Sequence, residues 1–206
     1  MPHNIVSLQF TAQLLASTSA KRGKSEKSQE GSGHSMDCVN LPLRGTCVVV
    51  GHGLISSPLL VSAVVITAWD PETRIGGMTH LVTPALPGFK IENSQSASNP
   101  VQELILEMAV AGASASRLQT AIVGGAAPLT KGAKLDERFR IGERLVNQAL
   151  GVLRECGLIP VFQEVGGCVG RQCVLDVKTG LVRVLSQNDN EVVLVAATSP
   201  SKGKKE

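Results

Sequence analysis

Of the four histidines, His80 alone lies in a segment expected to form a strand. It ends the segment Gly76-Gly77-Met78-Thr79-His80, on an expected strand, whereas His3 and His34 lie in a polar N-terminal segment and His52 lies in a glycine turn. An imidazole exchanges a proton near neutral pH, so it can serve as a general base or acid. A single histidine on a strand is more often structural than catalytic. Taken alone, the segment leaves both roles open.

Five cysteines supply the other side chains that could act as nucleophiles: Cys38, Cys47, Cys156, Cys168 and Cys173. Their number is odd and their spacing irregular, and no CxxC pair is present. This pattern argues against a zinc ribbon and against a small disulfide-rich scaffold. We expect reduced, mostly buried thiols in a cytoplasmic protein, with no metal ion and no cofactor.

Three other classes of function are disfavoured. Gly51-His52-Gly53 follows a strand, but Ser56 stands where a dinucleotide fingerprint needs its third glycine, and Pro58 follows. The net charge of +3 comes from the first 40 residues (+1) and the last six (+2), and aromatic residues make up only 2%. Neither a phosphate-binding face nor a base-stacking surface is therefore expected. No apolar run approaches the roughly 18 residues of a membrane span.

The elements that would hold these residues alternate between strands and helices. Asn99-Pro100 predicts the start of an amphipathic helix, and a second helix is predicted with Ile141, Leu145, Ala149 and Val152 on one face and Gly157 at its end. The expected strands lie at 47–50, 59–69, 78–82, 120–123, 158–164, 173–177, 181–185 and 192–196. This order indicates an α+β fold, a mixed sheet covered by helices.

The domain organisation follows from composition. Residues 17–35 carry Ser, Lys, Gly and Glu without a large apolar side chain, so residues 1–40 are expected to form a disordered leader. Residues 41–198 are expected to form one domain. Residues 199–206 are expected to form a disordered basic tail.

Six motifs, taken in order and spacing, resemble the chemoreceptor glutamine deamidase family, CheD. They are Asp70-Pro71, Gly76 to Pro84, Ile122 to Ala126, Ile141 to Arg144, Gly166 to Arg171 and Lys178-Thr179-Gly180. The resemblance extends from about Cys47 to Val195. It implies a mixed β-sheet sandwich covered by two main helices. It also implies hydrolysis of receptor glutamine side-chain amides to glutamate, in which a cysteine thiolate attacks the amide carbon and a histidine protonates the departing ammonia.

The resemblance assigns catalytic roles position by position. His80 falls on the family's catalytic histidine. The nucleophilic cysteine position holds Ala63, whose methyl group cannot attack an amide. The family's orienting threonine corresponds to Ser57, and a family asparagine corresponds to Leu145. Cys168, after a glycine turn, is a weaker candidate for a substitute nucleophile.

Gly124, Gly125 and Arg171 are the expected binding positions. Arg171 could attract an acidic receptor surface, or it could be an ordinary solvated side chain.

Methyl-accepting chemotaxis receptors are the partners that the resemblance implies, and a chemotaxis phosphatase is a second expected partner. No nucleic acid and no membrane insertion are expected. Three alternatives stay open: an active deamidase with another nucleophile, a silent binding module of the same fold, and a family member acting outside chemotaxis. Whether Ala63 is natural or engineered is also open.

Overall fold

The computed structural model describes residues 37–82, 99–127, 140–186 and 192–195. Ten strands form within these ranges: β1 (Cys38–Asn40), β2 (Thr46–Val50), β3 (Leu54–Ser56), β4 (Val64–Asp70), β5 (Ile75–Leu81), β6 (Gln119–Gly124), β7 (Pro160–Val165), β8 (Arg171–Asp176), β9 (Leu181–Ser186) and β10 (Val192–Val195). Two α-helices accompany them, α1 (Pro100–Val110) and α2 (Ile141–Glu155). A short 3-10 helix, Ala115–Arg117, precedes β6.

The strands form two mixed five-stranded sheets. The first sheet has the order β2-β5-β4-β6-β7, and the second has the order β1-β3-β8-β9-β10. Most neighbours are antiparallel, whereas β6 pairs parallel with β7 and β1 pairs parallel with β3. The predicted α+β sandwich is confirmed.

Alternate residues of the first sheet face two different layers. In β4, Val64, Ile66 and Ala68 pack against the helices, whereas Val65 belongs to a cluster between the two sheets. A strand presents successive side chains to opposite faces, so the period of two produces both cores. The layers are therefore helices, first sheet and second sheet. Both faces of the first sheet are covered, which explains why β4 and β5 are buried along their whole length.

Gly76 and Gly77 let these layers approach closely. A Cβ atom added to Gly76 would lie 2.8 Å from the Val177 side chain on the second-sheet side. A Cβ atom added to Gly77 would lie 2.6 Å from Leu104 of α1. The glycine pair in the histidine motif thus serves packing on both faces of β5.

Both predicted helices are present, and α1 begins as the sequence predicts. The Asn99 side chain accepts a hydrogen bond from the Val101 amide at 3.0 Å, and Pro100 occupies the first turn. The second helix, α2, ends before Gly157, which adopts a left-handed φ of +73°. A glycine there avoids the Cβ clash that other residues meet in this conformation.

Three expectations about the strands need correction. The leader boundary at residue 40 is too late, because Cys38–Asn40 forms β1 and pairs with β3. The strand β3 was not predicted, since three residues are too few to show a period. The strand expected over 59–69 begins only at Val64, and Leu60 makes an isolated bridge to Arg171 of the second sheet instead. Most of the expected leader, residues 1–36, and the tail at 199–206 lie outside the described residues.

Candidate functional site

The imidazole of His80 is buried on β5, with 4% of the residue exposed. The Arg44 amide donates a hydrogen bond to Nδ1 at 3.2 Å. Nε2 is buried and has no hydrogen-bond partner among the described residues. Burial, and then the positive charge of Arg44, lower the pKa of His80 below its ordinary value. The ring is therefore held in its neutral form with one polar atom unused.

Ala63 lies on the same face of the sheet as His80. His80 pairs with Val65 across β4 and β5, and Val65 belongs to the cluster between the sheets. Ala63, two residues before Val65, packs against the same cluster and is half-buried. Diagonal neighbours across an antiparallel pair lie roughly 7–8 Å apart, within reach of a long side chain. We predict a separation of about 5 Å between the imidazole and the Ala63 methyl, which would suit a nucleophile–base pair.

Gly124 and Gly125 form a buried turn around the backbone of Ala63. The Gly125 amide donates to the Ala63 carbonyl at 2.8 Å. A Cβ atom at Gly124, whose φ is +117°, would collide with that same carbonyl oxygen. On the other side, Gly142 of α2 packs against the Gly125 carbonyl. These expected binding residues therefore shape the backbone at position 63.

Ser57 does not orient the imidazole in this structure. Its hydroxyl donates to the Pro58 carbonyl at 2.8 Å and accepts a hydrogen bond from the Cys173 amide at 2.9 Å. Ser57 itself is 1% exposed. Both bonds tie it to the backbone around the second sheet. The orienting contact to His80 comes instead from Arg44, which sequence analysis missed because a backbone amide leaves no trace in residue type.

Arg171 is neither solvated nor free to attract an acidic partner. It is 9% exposed, forms an ion pair with Glu164 at 3.1 Å and donates to the Gly166 carbonyl at 2.6 Å. The Gly166 amide in turn donates to the Gly124 carbonyl at 2.9 Å. The expected recognition role is thus replaced by a structural one. Arg171 holds the glycine loop that abuts the turn around Ala63.

Leu145 lies on the opposite face from His80, within the core between α2 and the first sheet. It is fully buried there. Leu145, which stands where the family has an asparagine, therefore packs between the helix and the sheet. It does not contact the imidazole.

The cysteines are more exposed than expected. Cys173 is buried, Cys168 is exposed, and Cys38, Cys47 and Cys156 are intermediate. Burial raises the pKa of Cys173 to about 12. Cys47 pairs with Met78 on β5 and packs against the cluster between the sheets, so it shares the face of His80. Burial, and then the charge of Glu107, raise the pKa of Cys47, which keeps it a protonated thiol.

Comparisons with known proteins match this sequence to one family. A family model described as CheD chemotactic sensory transduction matches residues 89–186. The probable chemoreceptor glutamine deamidase CheD of Pyrococcus horikoshii is 34% identical over 145 residues, covering 69% of this chain and 88% of that protein. The chain belongs to the CheD family. The CheD protein of Desulfitobacterium hafniense is 32% identical over 136 residues, covering 66% of this chain and 84% of its own length.

Membership in the CheD family rests on similarity to these relatives, and the region matched by the family model begins after His80. The described helices include none that is long and apolar enough to cross a membrane. Among the described residues, no group of three or more His, Cys, Asp or Glu side chains is arranged to hold a metal ion.

Proposed function

We propose that this protein is a chemotaxis protein that binds methyl-accepting chemotaxis receptors through its CheD-type site without hydrolysing their glutamines. The relatives that it matches are named as probable chemoreceptor glutamine deamidases. The single observation that carries the loss of chemistry is Ala63, which stands at the position that the resemblance assigns to the nucleophile and packs on the face that holds His80. We further propose a cytoplasmic location, and a chemotaxis phosphatase as a second partner.

The surroundings of Ala63 support a site that keeps its shape. In the glycine turn 124–125, the Gly125 amide donates a hydrogen bond to the Ala63 carbonyl, and Arg171 donates to the Gly166 carbonyl of the adjoining loop. The unused Nε2 of His80 is a buried polar atom, and leaving such an atom unpaired costs about 1–3 kcal/mol. At the separation predicted above, a sulfur at position 63 would offer this atom a partner.

Ala63→Cys tests the proposal on the chain itself. An imidazole neighbour should lower the pKa of the new thiol below the ordinary ~8.5, so it should react with iodoacetamide at pH 7 faster than the five native cysteines. The variant should release ammonia from an all-glutamine receptor cytoplasmic fragment, and the parent chain should bind that fragment without releasing ammonia. Ala63→Ser, similar in size and a weaker nucleophile, is the matched control.

A second candidate, an active deamidase that uses Cys47, is favoured by the position of this residue on the face of His80. Ammonia release by the parent chain that disappears in Cys47→Ala would establish it and overturn the proposal. Failure of the parent chain to bind any receptor fragment would overturn the receptor assignment itself.

A further inference from the structure

The partner of Nδ1 determines which protons the His80 ring can carry. Arg44 contributes a backbone N–H, which can only donate, so Nδ1 must present its lone pair. In a neutral imidazole the hydrogen then resides on Nε2. Protonating the ring at Nδ1 would break the bond to Arg44 and place two like charges close together.

The backbone at Arg44 is held in an uncommon conformation. Residues Pro42 to Gly45 form a turn closed by the Gly45 amide donating to the Pro42 carbonyl at 3.2 Å. Arg44 has a φ of +58° at the third position of this turn, where type II turns favour glycine. The central peptide of this turn joins Leu43 to Arg44 and carries the Arg44 N–H. In a type II turn this peptide points to the opposite side from the one that it takes in a type I turn.

The turn is also fixed to the strand that carries the histidine. The His80 amide donates to the Gly45 carbonyl at 3.1 Å, immediately beside the bond from Arg44 to the ring. Backbone and ring of His80 are therefore tied to adjacent residues of one turn. Strained backbone of this kind persists where the surrounding structure requires it, and it is concentrated at functional sites.

We infer that Arg44 is the positioning residue of this site, and that its backbone amide fixes His80 as the neutral tautomer with hydrogen on Nε2. The inference deepens the proposed function, on which the assignment of His80 as the site histidine rests. The ring then offers a hydrogen-bond donor at Nε2 in place of a proton acceptor. Such a donor can stabilise a thiolate or hold an oxygen atom, so the thiol introduced by Ala63→Cys would lose its proton to solvent, and Nε2–H would stabilise the resulting thiolate.

Nitrogen-15 NMR of the full chain, labelled at histidine and backbone, tests the inference without any receptor. The His80 signals, assigned by their loss in His80→Gln, should show hydrogen bound to Nε2 and a lone pair at Nδ1 at pH 7. A scalar coupling across the hydrogen bond should join the Arg44 amide nitrogen to Nδ1. Exposed His52 serves as the internal reference for a ring without this constraint. Hydrogen on Nδ1, a rapidly exchanging mixture or a charged ring would overturn the inference.

Two variants separate Arg44 from Ser57 as the orienting group. Arg44→Gly keeps the amide and accepts the left-handed backbone, so the tautomer and the coupling should persist without the guanidinium. Ser57→Ala should leave the tautomer unchanged, although it removes a buried hydrogen bond to Cys173. A change of tautomer in Ser57→Ala would overturn the inference. Because these spectra are recorded on the protein alone, absence of receptor binding would refute only the proposed function.

Discussion

At the scale of single residues, Asp70 shows how a buried charge is tolerated next to the site strand. Arg117 donates to both carboxylate oxygens, at 3.0 and 2.7 Å, and the Ser114 and Glu72 amides add bonds at 2.9 and 3.0 Å. Burial alone would raise the pKa of Asp70, but these hydrogen bonds and the charge of Arg117 outweigh it. The pKa of Asp70 therefore lies well below its usual range.

Arg117→Ala should lower the free energy of unfolding at pH 7, because it leaves a buried carboxylate without its counter-charge. Arg117→Lys is the control: it keeps the positive charge but not the paired donors, so it should lower the free energy of unfolding by a smaller amount. The depressed pKa means that this stabilisation is present above the unfolded value of about 4 and is lost as the pH falls further. In urea unfolding, the deficit of both variants relative to the parent should therefore shrink progressively as the pH falls below 4. An equal deficit at pH 3 and pH 7 would contradict the assignment.

At the scale of elements, the turn between β6 and the segment before α2 joins three parts of the site. Gly124 and Gly125 have left-handed φ values of +117° and +68°, and they contact Ala63 on one side and Gly142 on the other. These two glycines therefore allow three backbone segments to approach one another: the residue before β4, the end of β6 and the start of α2.

Gly124→Ala should lower the free energy of unfolding by about 2 kcal/mol, since its φ disfavours a side chain and the new methyl would meet the Ala63 carbonyl. It should also abolish the thiol reactivity introduced by Ala63→Cys. Gly151→Ala is the matched control within α2, because a Cβ atom there meets nothing within 4 Å. That control should stabilise the protein by about 0.5–1 kcal/mol. Thermal unfolding measures both, and similar effects from the two substitutions would argue against the role of the turn.

At the scale of the whole molecule, the question is how much of the N-terminal segment the domain requires. Residues 17–35 have no large apolar side chain to bury, whereas Cys38 begins β1 and packs against Leu54 and its neighbours. We therefore expect the domain boundary to fall between these two segments.

A chain that starts at Met36 should keep the melting temperature and the cooperativity of the full chain, because it retains β1. A chain that starts at Leu41 is the control and should melt at a lower temperature, since it lacks the strand that pairs with β3. Calorimetry of the three chains provides the comparison. A clear drop for the Met36 chain would show that the preceding residues contribute to the folded domain.

The sequence by itself determined the features that depend on near neighbours. Asn99-Pro100 starts α1 and Gly157 follows the end of α2, because a cap and a left-handed glycine act within one turn of their own helix. The strands predicted at 173–177 and 181–185 pair as a hairpin, β8 with β9, around the turn Lys178-Thr179-Gly180, which is also a local feature. The resemblance to the CheD family identified Ala63 and His80 as positions to compare, and alternation along the strands explains why both can face the second sheet.

Only the tertiary structure decided which groups those positions meet. Ser57 and Arg171 have residue types suited to orientation and recognition, yet contacts with Cys173, Glu164 and Gly166 engage them elsewhere. Arg44 contributes through its amide, which every residue except proline possesses, to a histidine 36 positions away. Such contacts depend on how distant strands and turns pack together. The residue type determines which hydrogen bonds and ion pairs a side chain can form, and tertiary packing determines which partners lie within reach.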